Sequence, residues 1–351
     1  MHNYAFDTEL ARLAIALGVA ASMIYYERFG VTTGGVIIPG YLALFVTQPS
    51  QIVVTLLVGM ATFWIVQRIL RPRLMLWGRR LYEAEVLTAL VIQLIWGLVL
   101  MSVAPLAPAI LALYGIGFVL PGIVAHDMGR QGVRATITAA VICALAVFGL
   151  VVVVESLRSL WSIPAWQTAP AVTSRMQRFA YPVEWLPVGV TLSVVVSMML
   201  YHQVPLFQGG LLPESLRAGG VVTAGYLALF MLRPLDLLFV TVSSLLTYVI
   251  VTQVFMRWTI LFGRSKVAAM FLTALLITWL LELAIGATGV GYIPWRGFNI
   301  IVPTVVALLA NDSQRQGLRR TVIGTVMATV AVFVLMLGIQ WVVAAVTNAW
   351  T

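Results

Sequence analysis

The sequence predicts an all-α polytopic membrane protein, with roughly 10–12 transmembrane or re-entrant helices in two parallel, pseudo-symmetric repeats. Three observations support this prediction: an apolar composition, a series of long apolar segments, and a second series that copies the first. Of 351 residues, 61% are hydrophobic and 9% are charged, and the mean hydropathy is +1.01. So few charges cannot cover the surface of a water-soluble fold. The composition therefore excludes a soluble enzyme, a disordered chain and a disulfide scaffold.

Charge and cysteine content narrow the possible functions further. The chain has 21 Lys and Arg against 12 Asp and Glu, a net charge of +9. In a membrane protein, the first explanation of this excess is positive charge in the loops, which sets the topology, and the second is a polyanionic substrate. Nucleic acid is therefore not an expected partner. Cys143 is the single cysteine of the sequence, which excludes an intrachain disulfide and a cysteine metal site. The polar start lacks a basic region, so the first apolar stretch is predicted to be a retained helix.

Twelve apolar segments follow one another along the chain. They cover roughly 10–26, 34–48, 50–67, 84–104, 107–125, 133–154, 186–201, 218–232, 234–256, 268–286, 297–310 and 321–346. A straight helix needs about 20 residues to cross a bilayer. Segments 34–48, 218–232 and 297–310 are short and interrupted by Gly or Pro, which predicts half-helices or re-entrant helices.

The second six segments repeat the first six at a separation of 185 residues, as from Tyr41 to Tyr226. Polar residues keep this register: Gly78-Arg79 matches Gly263-Arg264, Asp127 matches Asp312, and Arg130-Gln131-Gly132 matches Arg315-Gln316-Gly317. We therefore divide the chain into a first repeat (1–155), an extracytoplasmic or interfacial linker (156–185) and a second repeat (186–351). If the Arg-rich loops around residues 68–80 and 257–266 are cytoplasmic and all twelve segments cross, each copy crosses six times. The copies are then parallel, with both termini and the linker outside.

No nucleotide-binding, hydrolase or metalloprotease motif occurs in a suitable context, so neither catalytic nor metal-binding residues are predicted. The interrupted segments contain candidate substrate-path residues: Gly35, Pro39, Gly40, Tyr41, Gly220, Gly225, Tyr226, Pro121, Gly122 and Pro303. A break in a membrane helix frees backbone groups that must be satisfied by protein or water. The alternative explanation of these glycines is close helix packing through small residues. For the Pro121 and Pro303 motifs, the alternative is that each marks a helix end followed by a polar turn.

Several charged residues are further candidates. Contact with a docked ligase, a phosphate or a carboxylate is predicted for five arginines: Arg79, Arg80, Arg264, Arg130 and Arg315. Alternatively, these arginines serve only to set the orientation of the chain in the membrane. Glu27 ends the first helix, and Glu282 lies within an apolar segment, where a carboxylate suggests a functional role. A structural pair with an arginine such as Arg296 would also explain Glu282.

The motifs of the first repeat resemble the CapC/PgsC family. The residues that carry the resemblance are Glu27-Arg28-Phe29-Gly30, Gly35-x-x-x-Pro39-Gly40-Tyr41, Gly78-Arg79-Arg80, Gly115-Ile116-Gly117-x-x-x-Pro121-Gly122 and Arg130-Gln131-Gly132. A typical member has about the length of one copy, so the chain resembles two members fused in tandem. The second copy departs by His202, Ala224 and Thr304, which replace Glu27, Pro39 and Gly122, and by an insertion around residues 204–217.

The resemblance implies a multi-pass subunit of a poly-γ-glutamate synthase in the bacterial cytoplasmic membrane. In such a system a separate cytosolic ligase of the CapB/PgsB type uses ATP to activate a glutamate carboxylate, and a CapA/PgsA-type membrane-anchored subunit assists export. ATP and Mg are then expected on the ligase, and this chain is expected to be non-catalytic, to need no cofactor and to receive or export polyglutamate. A stand-alone secondary transporter for a small anionic solute and a membrane transferase acting on a lipid-linked substrate are the alternatives.

Overall fold

The computed structural model describes residues 5–104, 113–160, 179–202, 216–289 and 292–350. All regular elements within these ranges are helices, which confirms the predicted all-α class. The chain forms two compact units. The first comprises Met1–Gln167 together with Phe262–Ala268, and the second comprises Thr168–Leu261 together with Ala269–Thr351.

Six helices form from the segments of the first repeat. They are α1 (Thr8–Phe29), α2 (Ile38–Leu44), α3 (Pro49–Ile65), α4 (Gly78–Val103), α5 (Leu120–Gln131) and α6 (Val133–Leu160). Helix α3 continues without a break through a π-helical turn, Val66–Leu70, into a last turn, Arg71–Leu74. A π-helical turn widens the helix locally, and such turns are frequent at functional sites.

Six helices form from the second repeat in the same order. They are α7 (Leu186–His202), α8 (Thr223–Leu229), α9 (Pro234–Val249), α10 (Gly263–Ala287), α11 (Val302–Gln316) and α12 (Leu318–Trp350). A 3₁₀ turn, Val183–Trp185, precedes α7. Helix α9 also continues through a π-helical segment, Ile250–Phe255, to Met256–Trp258. The π-helical interruption is therefore a feature of both repeats.

Eight helices of the described residues are long and apolar enough to cross a membrane. The other four, α2, α5, α8 and α11, have 7, 12, 7 and 15 residues. Short helices were predicted in place of α2, α8 and α11, but the apolar stretch 107–125 predicted a longer helix than α5. The helix begins only at Leu120, because Gly117 takes a left-handed φ of 58° and Pro121 favours a first helical turn.

The predicted linker, 156–185, overlaps two helical elements. Helix α6 extends to Leu160, and the 3₁₀ turn occupies Val183–Trp185. Residues 161–178, which include Trp161 and Trp166 of this linker, lie outside the described residues. The same holds for most of the insertion predicted around residues 204–217.

In the first unit, the start of α1 lies close to the ends of α2 and α6. Residues 30–44 run back along α1, because the carbonyl of Leu44 accepts a hydrogen bond from the amide of Ala5 at 3.0 Å. Helix α6 also returns to this end, where Arg158 lies 3.7 Å from Asp7. Residues 30–44 therefore run antiparallel to α1, and the number of crossings in each copy stays a prediction. The parallel relation of the two copies stays a prediction.

Candidate functional site

The Arg-Gln-Gly motifs that end α5 and α11 support the broken segments through their glutamines. The Gln131 side chain accepts from the amide of Thr32 at 2.8 Å and donates to the carbonyl of Thr32 at 2.5 Å. In the second unit, Gln316 makes the equivalent pair of bonds to Arg217, each at 2.9 Å. Backbone groups that leave helical pairing inside an apolar bundle need such partners. The motif therefore holds each break in place.

Glycines of the predicted substrate path lie in close helix contacts. A Cβ atom on Gly40 would lie 2.7 Å from the Cα atom of Ile15 in α1. A Cβ atom on Gly225 would lie 2.9 Å from the Cα atom of Val190 in α7. Real Cβ atoms do not approach so closely, because interiors are already packed like crystals. These contacts agree with helix packing, one of the two explanations of the glycines.

The other predicted path residues also lie on or within the bundles. A Cβ atom on Gly122 would lie 2.7 Å from the Cα atom of Val86. Gly35 and Gly220 adopt φ values of 129° and 103° in the turns before α2 and α8, a region that favours glycine. Three prolines are buried at helix starts: Pro39, Pro121 and Pro303. Of the two tyrosines, Tyr41 is half-buried and Tyr226 is buried.

Two arginines with a predicted docking role are engaged inside the first unit. Arg79 Nε donates to Glu83 Oε1 at 2.6 Å, and Arg264 Nη2 donates to Asp127 Oδ1 at 2.5 Å. The side chain of Glu83 is fully buried and that of Asp127 is 3% exposed. Burying an ionised carboxylate is costly unless it is paired, so both arginines compensate charges within the fold.

A chain of polar side chains joins three helices beside these ion pairs. Glu85 of α4 is fully buried, and its Oε2 atom lies 2.6 Å from Nδ1 of His126 in α5. Gln67, in the π-helical turn of α3, donates to Oε1 of Glu85 at 3.2 Å and accepts from Nη1 of Arg71 at 2.7 Å. The buried carboxylate thus orients Gln67, and Gln67 in turn orients Arg71.

The sequence did not predict this polar chain, although a signal was available. That signal is Glu85 itself, which lies in the apolar segment 84–104, where a carboxylate is a candidate functional residue. The second repeat carries Met270 at the position of Glu85 and Asn311 at the position of His126. The polar chain is therefore a property of the first repeat.

An open pocket of about 440 Å³ lies at the end of this polar chain. It is lined by Gln67, Arg71, Pro72, Met75 and Trp77. The guanidinium carbon of Arg71 lies 4.6 Å from the centroid of the Trp77 ring, which is a cation–π contact. A planar guanidinium fixed beside an amide suits carboxylate or phosphate chemistry.

The remaining predicted residues lie elsewhere. Three arginines are exposed: Arg80, Arg130 and Arg315. Glu27 is exposed near the end of α1. Glu282 is 8% exposed and accepts a hydrogen bond from Nδ2 of Asn299 at 3.1 Å. Within the described ranges, no three His, Cys, Asp or Glu residues form a group that could hold a metal ion.

A different polar cluster in the second unit surrounds Asp236 at the start of α9. Its Oδ2 atom lies 2.7 Å from Arg233 Nε in an ion pair, and its Oδ1 atom accepts from the Tyr292 hydroxyl at 2.5 Å and from the Trp295 amide at 2.8 Å. Burial, and then the bond to Asp236, raise the pKa of Tyr292 above its usual range. The cluster ties the chain before α11 to α9, and we assign it a structural role.

Comparison with known proteins identifies similar chains. A family model described as "Capsule biosynthesis CapC" matches residues 17–137 and 192–322. The chain is 32% identical over 142 residues to "PGA biosynthesis protein CapC" of Bacillus subtilis (strain 168), which covers 40% of this chain and 93% of that protein. It is 33% identical over 139 residues to "Capsule biosynthesis protein CapC" of Bacillus anthracis, or 39% of this chain and 91% of that protein. No solved structure matches. The two matched regions agree with a fusion of two copies.

Proposed function

The chain belongs to the CapC family of capsule biosynthesis proteins, and from this premise we propose that it is the membrane subunit of a poly-γ-glutamate synthase. It docks a cytosolic ATP-dependent ligase of the CapB/PgsB type and receives the anionic polymer for export. ATP and Mg bind to the ligase, and a CapA/PgsA-type subunit is a further partner. The complex resides in the cytoplasmic membrane, where eight apolar helices anchor this chain.

The observation that carries the docking proposal is a pair of equivalent loops with exposed apolar side chains. In the loop between α3 and α4, Met75 and Trp77 are 79% and 68% exposed. At the equivalent positions between α9 and α10, Ile260 and Phe262 are 84% and 76% exposed. All four lie between candidate membrane spans and not within them. Large exposed apolar side chains outside the spans indicate an interaction surface.

The surroundings of these loops favour an acidic partner surface. Arg73 and Arg80 are exposed in the helical turns on either side of the first loop, and Arg257 is exposed near the second. Positive charge around an apolar contact speeds association with an acidic partner and selects against basic ones. A separate ligase also agrees with the lack of a nucleotide-binding motif in this sequence.

We expect the double substitution Ile260→Ser with Phe262→Ser to lower recovery of the ligase about tenfold in a pull-down, because exposed apolar anchors dominate binding energy. The measurement is the ligase-to-subunit ratio after purification from membranes that contain both chains. The matched control is Val342→Ser with Val346→Ser, since these side chains are 54% and 52% exposed on α12. Full ligase recovery with the loop variant, at normal yield of the membrane protein, would contradict docking through this loop.

A further inference from the structure

Arg71 differs from the other arginines that the fold encloses. In the described part of the chain, seven arginines are buried or half-buried, and six of them lie within 4.0 Å of a carboxylate. The seventh is Arg71, for which the described residues provide no carboxylate partner. Its hydrogen bond goes to the neutral amide of Gln67 at 2.7 Å.

The orientation of this guanidinium is fixed from two sides. Gln67 presents its oxygen to Arg71 because its nitrogen is held by the buried Glu85, which in turn lies against His126. The Trp77 ring lies 4.6 Å from the guanidinium carbon and covers its face. A half-buried cation without a counter-charge is unfavourable, so this pre-oriented group is suited to receive an anion.

We propose that Arg71, Gln67 and Trp77 form a binding site for a carboxylate of the γ-linked glutamate chain, an inference that rests on the proposed function. The planar guanidinium donates two parallel hydrogen bonds to a carboxylate in a bidentate geometry, and the pocket volume lies in the range of small-ligand sites. Exposed Arg68 and Arg73 lie on either side of Arg71 in sequence and add positive charge, which attracts a polyanion.

The second repeat provides a matched arginine for comparison, Arg257, which is exposed. Arg257 Nη2 donates to Oε1 of Gln253, its neighbour four residues earlier, at 2.8 Å, as Arg71 does to Gln67. However, Met256 and Thr252 occupy the positions equivalent to Arg71 and Gln67. The proposal therefore predicts one carboxylate site per chain, in the first repeat.

The test measures binding of a defined γ-linked glutamate oligomer to the full chain in nanodiscs of neutral phosphatidylcholine. We expect Arg71→Gln to weaken binding about tenfold or more, because a charge-assisted hydrogen bond is lost. Arg257→Gln should change the affinity less than about twofold. Arg71→Lys should fall between wild type and Arg71→Gln, because it keeps the charge and loses the planar fork. Thermal unfolding of each variant verifies the fold.

Three results would overturn the site, and they are distinguishable from failure of the proposed function. If wild type and Arg71→Gln bind the oligomer equally, the site is wrong while the function stands. If the wild-type chain binds no oligomer but supports polymer synthesis with its ligase, this ligand assignment alone fails. The same variants in nanodiscs that contain phosphatidylglycerol test whether the anion that binds at Arg71 is a lipid phosphate. Loss of lipid retention in Arg71→Gln at unchanged oligomer affinity would assign the pocket to a lipid phosphate and also overturn the proposal.

Discussion

Replacing Arg264 by glutamate is expected to lower the free energy of unfolding by about 3–5 kcal/mol, the usual cost of breaking a buried ion pair from one side. Arg264 compensates Asp127, whose side chain is 3% exposed. The substitution removes the compensating charge and places a second carboxylate beside the first. The guanidinium also lies 5.6 Å from the centroid of the Tyr26 ring, a contact that is lost with it.

The measurement is thermal unfolding of the purified protein in detergent, compared with Arg130→Glu, which changes the charge equally at an exposed position. Arg130→Glu should be close to wild type, because exposed ionic contacts contribute little. The double variant Arg264→Glu with Asp127→Arg should regain part of the loss, since it restores opposite charges. An unfolding temperature of Arg264→Glu equal to that of Arg130→Glu would show that the ion pair does not stabilise the first unit.

Replacing Gly40 by leucine is expected to cost about 3 kcal/mol or more and to remove most of the folded protein, because overpacking a filled contact displaces backbone. The first side-chain carbon alone would lie 2.7 Å from the Cα atom of Ile15. In the opposite direction, a Cβ atom on Gly18 would lie 2.3 Å from the amide nitrogen of Gly40. The two glycines therefore allow α1 and α2 to touch through their backbones.

The control for this prediction is Gly149→Leu in α6, where an added Cβ atom meets no atom within 4 Å. That variant should give a normal yield of detergent-stable protein, because leucine also favours the helix more than glycine does. Polymer output is measured on the same samples. If Gly40→Leu is folded and still bound to ligase but makes no polymer, the glycine lines a substrate path and the packing explanation is wrong.

The fold was largely predictable because its signals are local or periodic. Apolar segments of sufficient length gave the long helices, and the separation of 185 residues between polar motifs gave the second copy. Gly and Pro within short segments indicated three of the four short helices. The fourth, α5, was predicted to begin too early, because the non-helical residues 114–119 before it, which include Gly117, are as apolar as a helix would be.

The candidate site was less predictable because its contacts join distant parts of the chain. Gln131 bonds Thr32 across 99 residues, and Arg264 bonds Asp127 across 137 residues. From the sequence, an arginine in a loop is expected to face solvent or another protein. The carboxylate that it pairs with inside the fold cannot be identified from sequence spacing. The Arg79–Glu83 pair was an exception that spacing could have shown, because residues four apart share a helix face.

The central claim, that this chain is the membrane subunit of a poly-γ-glutamate synthase, is tested most directly by reconstitution. The purified chain is placed in lipid vesicles with its ligase, ATP, Mg and glutamate, and polymer that a γ-glutamyl hydrolase degrades is quantified. We predict that polymer forms only when both proteins are present. The claim would be contradicted if the ligase formed as much polymer with empty vesicles as with vesicles that contain the chain. It would also be contradicted if no polymer formed and the chain alone, without ligase, took up a small anion. The second result would identify a stand-alone transporter.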